Sequence, residues 1–255
     1  MKYLTTPIYY PNDRPHIGTA YTTLIADAVG RYFRLAGEPT FALTGVDEYG
    51  LKIQQAAEEA GMEPQQWVDH IVGRFHETWD LLDMRFDDFI RTTEERHRLT
   101  VQSVLQRMYD NGDVYRSRYE GPYCVRCEAY YTEDELVEGA CPVHERPVDL
   151  HAEENWFFSL SRYAQPLLDH IAANPEFIVP VERRNEVVGF LEQGVADISM
   201  SRASLTWGIP LPWDESQVAY VWFDALINYI SFAGYLKEDD SGLPDFDSLW
   251  PAGGG

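Results

Sequence analysis

Three cysteines and one histidine are spaced as two metal-binding knuckles. Cys124 and Cys127 form a Cys-x-x-Cys pair, and after residues 128–140 Cys141 and His144 follow as Cys-x-x-His. Three thiolates and one imidazole satisfy the tetrahedral coordination of structural zinc, and four protein ligands leave no position open for water. The chain has 3 cysteines in all, so complete disulfide pairing within it is excluded. The spacing predicts a structural Zn²⁺ site; the alternative is three ordinary cysteines beside a surface histidine.

His16, Ile17 and Gly18 stand where a short apolar run gives way to a helical pattern. A helix N-terminus presents unpaired amides and the positive end of the helix dipole, which suits a nucleotide phosphate. Gly18 would allow a base or ribose to approach the backbone, and His16 could donate to a phosphate oxygen. The same residues also occur in ordinary turns, so this short segment alone leaves both interpretations open, a nucleotide site and a plain turn.

Asp47 and Glu48 follow the second apolar run of the chain. In an open parallel sheet, ligands lie at the carboxyl ends of the strands, so an acidic pair there is placed to meet a ligand. Asp47 could hold a substrate ammonium group. The alternative is an ordinary turn.

Trp222, Leu226 and Tyr229 recur at i, i+4 and i+7 and therefore share one helix face. Such a stripe commonly packs into a core. It could equally form the wall of an apolar pocket with a polar tip, as a thioether side chain would require.

These groups need a scaffold, and the apolar patterns supply one. Runs over residues 3–8, 41–44 and 89–91 predict strands. Three- and four-residue periodicity predicts helices over 17–35, with Gly37 as a C-terminal cap, and over 53–60, 67–82 and 94–109. Alternating strands and helices predict an α/β fold with a doubly wound parallel sheet. Residues 115–154 show no long helical period and predict a small irregular module.

Beyond that module the pattern becomes regular again. Helices are expected from residue 161, over 186–191 and over 224–235, and strand-like segments over 197–202 and 218–223. We therefore predict the first half of a parallel-sheet domain over residues 1–114 and an insertion over 115–217, with its zinc knuckle at about 120–150. The chain then returns to the first domain over 218–255.

Composition limits the function classes. The 255 residues are 45% hydrophobic with a net charge of −22, which excludes a wholly disordered chain and a broadly basic, nucleic-acid-coating surface. We expect no DNA partner, although a local RNA contact stays open. No apolar run reaches the ~18–20 residues of a membrane helix, and the N-terminus lacks a secretion-signal layout. The expectation is a soluble, cytoplasmic protein without a membrane partner.

Taken together and in order, these motifs resemble the catalytic half of bacterial methionyl-tRNA synthetases, class I enzymes of the type with one zinc knuckle. Besides the knuckle, the matching segments are residues 5–10, 16–18, 47–50, 88–97, 184–187, 197–202, 207–213 and 222–229. The likeness runs from residue 1 to about 251.

The resemblance implies a Rossmann-type catalytic domain interrupted by a connective insertion. It implies that Asp47 binds the amino group of methionine and that His16 and Gly18 contact ATP. The implied walls of the methionine side-chain pocket are Ile8, Tyr10, Trp222, Leu226 and Tyr229. The implied chemistry is attack of the methionine carboxylate on the α-phosphate of ATP, with Mg²⁺ on the phosphates, followed by transfer to tRNA.

The sequence departs from the family at three places. Thr19 replaces the second histidine of the His-Ile-Gly-His tetrad, a transition-state contact, and Tyr49 replaces another histidine in Thr-Asp-Glu-His-Gly. The printed sequence also stops before the Lys-Met-Ser-Lys-Ser loop that clamps pyrophosphate. We therefore expect the 255-residue form to be weak or inactive alone, and to self-associate through an under-covered 218–223 run.

Two further hypotheses stay open beside the methionine–tRNA ligase. One is a paralogue that adenylates an amino acid for an acceptor other than tRNA. The other is a non-catalytic, zinc-stabilised remnant that binds an amino acid or a partner synthetase.

Overall fold

The computed structural model describes residues 1–124, 129–131, 135–232, 235 and 246. These residues form one parallel and two antiparallel sheets with helices between them. Within the described part, no helix combines the length and apolar character that crossing a bilayer requires.

A parallel sheet opens the fold. Its strands, in spatial order, are β1 (Lys2–Thr5), β2 (Thr40–Val46) and β3 (Asp88–Arg91). Parallel neighbours need a crossover connection. The crossovers are α1 (Ile17–Leu35), then α2 (Leu51–Ala60) with α3 (Pro64–Leu81), and α4 (Glu95–Asp110) follows β3. The predicted α/β class with a parallel sheet is confirmed.

Local sequence explains where these elements end. β1 ends at Thr5, short of the predicted residue 8. Lys2 and Thr6 donate to the carbonyls of residues 39 and 43, but the next amide to reach β2 is that of Tyr9, on Gly45, so the pairing shifts by one residue across Pro7. The chain rejoins the sheet only as a single bridge between Tyr9 and Val46. Gly61 ends α2 in the left-handed region, with φ of 67°, and Pro64 begins α3, as expected for a C-terminal glycine and an N-terminal proline.

Apolar side chains cover both faces of this sheet. One face packs Val46 against Phe75 and Trp79 of α3. On the other face, Phe232 stacks on Phe41 with ring centroids 4.9 Å apart. The packing of Phe232 draws the last described helix against the first strands, although nearly two hundred residues separate them.

An antiparallel sheet replaces the irregular module predicted over 115–154. β4 (Val114–Cys124) pairs with β6 (Asp149–Phe158) along almost its whole length, and β5 (Ala129–Tyr130) and β7 (Ile198–Ser199) lie outside them. The irregular prediction is wrong here because the exposed residues Tyr115 and Arg116 stand next to each other in β4, which breaks the alternation that identifies a strand. The domain limits 1–114, 115–217 and 218–255 stay predictions.

Seven further α-helices and β-strands follow in the described part of the chain. They are α5 (Ala164–Ala173), α6 (Val181–Glu192), β8 (Ser201–Arg202), β9 (Pro210–Leu211), β10 (Asp214–Ala219), α7 (Val221–Ala225) and α8 (Asn228–Ser231). The predicted strand over 197–202 is therefore two short strands, and the described part of the helix predicted over 224–235 is two short helices. Val218, Ala219 and Val221 are buried, whereas Trp222 of the same 218–223 run is 51% exposed, so only part of that run is covered, and its self-association stays a prediction.

Helix α1 buries its polar side and exposes its apolar side. Thr19, Thr23 and Asp27 are buried and used in hydrogen bonds: the Tyr9 hydroxyl lies 2.9 Å from Thr23 Oγ1, and Asp27 Oδ1 accepts from the Arg85 amide at 3.0 Å. Seven large apolar side chains of this helix are exposed by contrast, namely Ile17, Tyr21, Leu24, Ile25, Val29, Tyr32 and Leu35. A contiguous apolar surface of this kind marks a contact surface.

We predict that the chain self-associates through α1 and that Leu24→Glu shifts it toward monomer, because a carboxylate in an apolar contact must be desolvated. Size-exclusion chromatography with light scattering over a range of concentrations measures this. Leu81→Glu is the matched control, since Leu81 is an exposed leucine on α3. A wild-type monomer at every concentration, or an equal effect of both variants, would contradict the prediction.

Candidate functional site

The segment after β1 lies against the carboxyl end of β2. Tyr9 donates its N–H to the Gly45 carbonyl at 3.1 Å, and its own carbonyl accepts from the Asp47 amide at 2.9 Å. Asp47 is only 4% exposed. The structure therefore places Asp47 beside the Tyr9–Tyr10 segment, at the edge where ligands of parallel sheets bind.

Gly45 permits a close approach of β2 to β3 at this edge. A Cβ atom on Gly45 would lie 2.1 Å from the Ile90 carbonyl oxygen and 2.6 Å from Ile90 Cγ2. Only glycine leaves room for that approach, which brings the residues after β3 within reach of those after β2.

Glu48 uses that closeness and turns inward. It is fully buried; its carboxylate accepts from Arg91 Nε at 2.7 Å and from the Thr93 hydroxyl at 2.5 Å, and its N–H donates to Thr92 Oγ1 at 2.9 Å. Burial raises the pKa of Glu48, and the bonds from Thr93 and Arg91 oppose that rise. Of the predicted acidic pair, Glu48 thus fastens the ends of β2 and β3 together. Sequence reasoning did not identify Arg91 or Thr93, although both stand directly at the end of a predicted strand.

Tyr49 points away from this edge, into a core cluster. Its ring packs on Trp207 with centroids 5.1 Å apart, and Trp207 Nε1 donates to the Glu48 carbonyl at 2.6 Å. Burial raises the pKa of Tyr49, with a further contribution from the charge of Asp224. A tyrosine here therefore stabilises the loop from the inside.

His16 caps α1 with its own side chain. Nδ1 accepts from the amides of Gly18 at 3.1 Å and Thr19 at 3.3 Å, and Nε2 lies 3.3 Å from the Thr19 hydroxyl. A Cβ atom on Gly18 would lie 3.0 Å from the imidazole, so the absence of a side chain at residue 18 leaves room for the ring in this position. The imidazole therefore accepts hydrogen bonds from the same amides that we predicted to bind a phosphate, and it must rotate away before a phosphate can bind them.

The predicted side-chain pocket is only partly assembled. Tyr229 accepts, at its carbonyl, a 3.0 Å bond from the Tyr3 hydroxyl of β1, while Trp222 and Leu226 are 51% and 54% exposed. Ile8 packs against the cluster beneath the sheet that contains Phe232. The ammonium of Lys52 lies 5.5 Å from the ring centroid of Tyr10, a cation–π distance.

The zinc knuckle is partly described. The ligand atoms of Cys124, Cys141 and His144 lie within 4.8 Å of one another, and each sulfur is 3.8 Å from His144 Nδ1. Cys127 lies outside the described residues. Burial opposes ionisation of Cys141, but hydrogen bonds from His144, Val143 and Tyr131 lower its pKa to about 5. Two sulfurs and an imidazole nitrogen that converge in this way fit a zinc ion.

Comparison with known proteins gives one family. A family model described as tRNA synthetases class I (M) matches residues 2–149 and 143–254. The methionine–tRNA ligases of Streptomyces coelicolor and Thermotoga maritima are each 47% identical to the chain over 98% of its length. The match covers 47% of the first relative and 40% of the second, so the chain spans about half the length, or less, of these curated relatives.

Solved structures agree. Mycobacterium tuberculosis methionyl-tRNA synthetase bound by methionyl-adenylate is 41% identical, with a TM-score of 0.90 over 98% of this chain and 50% of that one. The apo form of the same enzyme has a TM-score of 0.79 at 38% identity, over 98% of this chain and 48% of that one.

We predict that Arg91→Ala lowers the free energy of unfolding by about 3 kcal/mol, because it removes the cation from a buried carboxylate. Urea denaturation measures the change. Arg74→Ala is the control, since Arg74 pairs with Glu77 at the surface and should cost less than about 0.5 kcal/mol. Equal losses for the two variants would show that the Glu48 contact has no special weight.

We also predict about one equivalent of zinc per chain by elemental analysis, and a marked loss of bound metal in Cys141→Ser, because a serine oxygen is a poor zinc ligand. His170→Asn, at an exposed histidine on α5, should keep its metal. A wild-type chain without zinc would rule the site out.

Proposed function

The chain belongs to the class I tRNA synthetases (M) family, and we propose that it activates methionine with ATP for transfer to tRNA. The relatives named above are methionine–tRNA ligases, and the fold is more similar to the methionyl-adenylate complex than to the apo form. The chain covers about half of such a protein, so the activity of the whole is part of the proposal.

Asp47 carries the proposal. It is a carboxylate buried to 4% exposure at the carboxyl edge of a parallel sheet, where a cationic group of a ligand is bound with little competition from water. An α-amino acid presents such a group. We assign Asp47 to the ammonium of methionine.

The methionine side chain would lie among Ile8, Tyr10, Trp222, Leu226 and Tyr229. Trp222 and Leu226 expose apolar surface that a flexible thioether can cover. The bond from Tyr3 to the Tyr229 carbonyl ties this wall to β1, the strand that leads into Ile8 and Tyr10.

ATP would meet the N-terminus of α1. Rotation of the His16 imidazole frees the amides of Gly18 and Thr19 for a phosphate oxygen, and the ring can then donate to the phosphates. Thr19 offers a short hydroxyl where the resemblance implies a second histidine. Its shorter reach predicts weaker stabilisation of the transition state.

The reaction is an in-line displacement. A carboxylate oxygen of methionine forms a bond to the α-phosphorus of ATP, and the bond from that phosphorus to the bridging oxygen of pyrophosphate breaks. Mg²⁺ bound with ATP would supply neutralising charge on the phosphates, and the protein contributes mainly by holding the two substrates in line. In the second step a ribose hydroxyl at the tRNA 3′ end takes the aminoacyl group and AMP leaves.

The remaining assignments follow from this reaction. We infer a structural zinc held by Cys124, Cys127, Cys141 and His144, which stabilises the hairpin and takes no part in the chemistry. A net charge of −22 confines any tRNA contact to a local surface. Because ATP and tRNA are its substrates, we assign the protein to the cytoplasm.

We predict that methionine binds the wild-type chain and that Asp47→Asn raises its Kd at least about tenfold, since a charge-assisted bond is lost. Isothermal titration calorimetry measures both affinities. Asp80→Asn, at an exposed aspartate of α3, should leave the Kd unchanged. Heat with a different amino acid would favour a paralogue with another acceptor, and no heat with any amino acid would favour a non-catalytic remnant.

A further inference from the structure

A polar cluster is buried behind the helices that carry the proposed pocket wall. His97 of α4, Asp224 of α7, and Asn228 and Ser231 of α8 are each at most 1% exposed. Polar groups are costly to bury unless they are paired. None of these four side chains has a part in the chemistry proposed above.

One imidazole joins both short helices to α4. His97 Nδ1 lies 2.9 Å from Ser231 Oγ on α8, and Nε2 lies 3.6 Å from Asp224 Oδ1 on α7. Ser231 Oγ donates to the Asn228 carbonyl at 3.3 Å, and Asn228 Nδ2 donates to the Ala225 carbonyl at 2.6 Å. Hydrogen bonds therefore connect His97, by way of Ser231 and Asn228, to the backbone of residues 225–231.

Burial determines the form of this pair. It lowers the pKa of His97 to about 4 and raises the pKa of Asp224 well above its ordinary value. His97 Nε2 thus faces a carboxyl group whose charged form burial disfavours. If Nδ1 donates to Ser231, Nε2 is an acceptor, and its 3.6 Å distance to Asp224 Oδ1 is longer than a direct hydrogen bond.

The two short helices joined in this way are not stable as isolated helices. α7 has 5 residues and α8 has 4, far below the ~12–15 that an isolated helix needs. Their positions must come from tertiary contacts. Among the described residues, neither Asp224 oxygen nor His97 Nε2 has a hydrogen-bond partner.

We propose that His97 and Asp224 are positioning residues that hold α7 and α8 so that Trp222 and Leu226 form the wall of the methionine pocket. This inference rests on the proposed function for its ligand, but the anchoring itself does not depend on any ligand. If the His97–Asp224 contact only contributed to core packing, its loss would lower the stability of the whole fold. Residues 221–231 would then become no more mobile than the other elements.

The test is hydrogen–deuterium exchange on the full chain, combined with calorimetry for methionine and ATP. In Asp224→Ala we expect the amides over 221–231 to exchange about tenfold faster, while those of α3 keep their rates. The reason is that losing this local contact raises the equilibrium constant for local opening of the segment about tenfold. The Kd for methionine should rise about tenfold while the Kd for ATP is unchanged. Asp224→Asn should behave as wild type, since asparagine keeps a polar group of the same size facing Nε2.

Ser231→Ala keeps the test open if Asp224→Ala does not fold, because it removes only the hydroxyl and should raise exchange in the same segment about threefold. His70→Asn, at an exposed histidine of α3, is the matched control and should change nothing. Faster exchange in 221–231 and α3 alike, or no change in 221–231, would overturn the anchoring. If wild type gives no heat with methionine, the proposed function is wrong, and exchange alone decides whether the pair holds the segment.

Discussion

The site depends on one buried ion pair at the carboxyl edge of the parallel sheet. Glu48 is fully buried and takes bonds from Arg91 and Thr93, so the loops after β2 and β3 are fastened to each other. A buried carboxylate is tolerated only when its hydrogen-bonding capacity is met. Because Glu48 is held, its neighbour Asp47 keeps a defined position at the edge where a ligand approaches.

The two sides of α1 show a second constraint. Its polar side is consumed by hydrogen bonds to neighbours such as Tyr9 and Arg85, which leaves the apolar side to the surface. An apolar helix face normally packs on other parts of a fold. The chain spans about half the length of its curated relatives, and the orientation of α1 is consistent with further structure packing on it in such proteins.

The capping of α1 by His16 links local chemistry to function. The free amides at a helix N-terminus bind whatever acceptor is closest, and here that acceptor is the imidazole of the capping residue itself. The phosphate contact proposed for these amides would therefore compete with the cap for the same donors.

Sequence by itself determined the α/β class, the order of the first strands and helices, the family and the candidate residues, because periodicity and motif spacing are local properties. Only the tertiary structure decided that Glu48 turns inward while Asp47 stays at the edge, that α1 faces outward with its apolar side, and that β4 and β6 form a long hairpin. It also brought His97 to Asp224. These outcomes depend on which distant groups meet, and a local amino-acid pattern carries no signal for a contact between residues that lie from 43 positions apart, as Glu48 and Arg91 do, to more than a hundred, as His97 and Ser231 do.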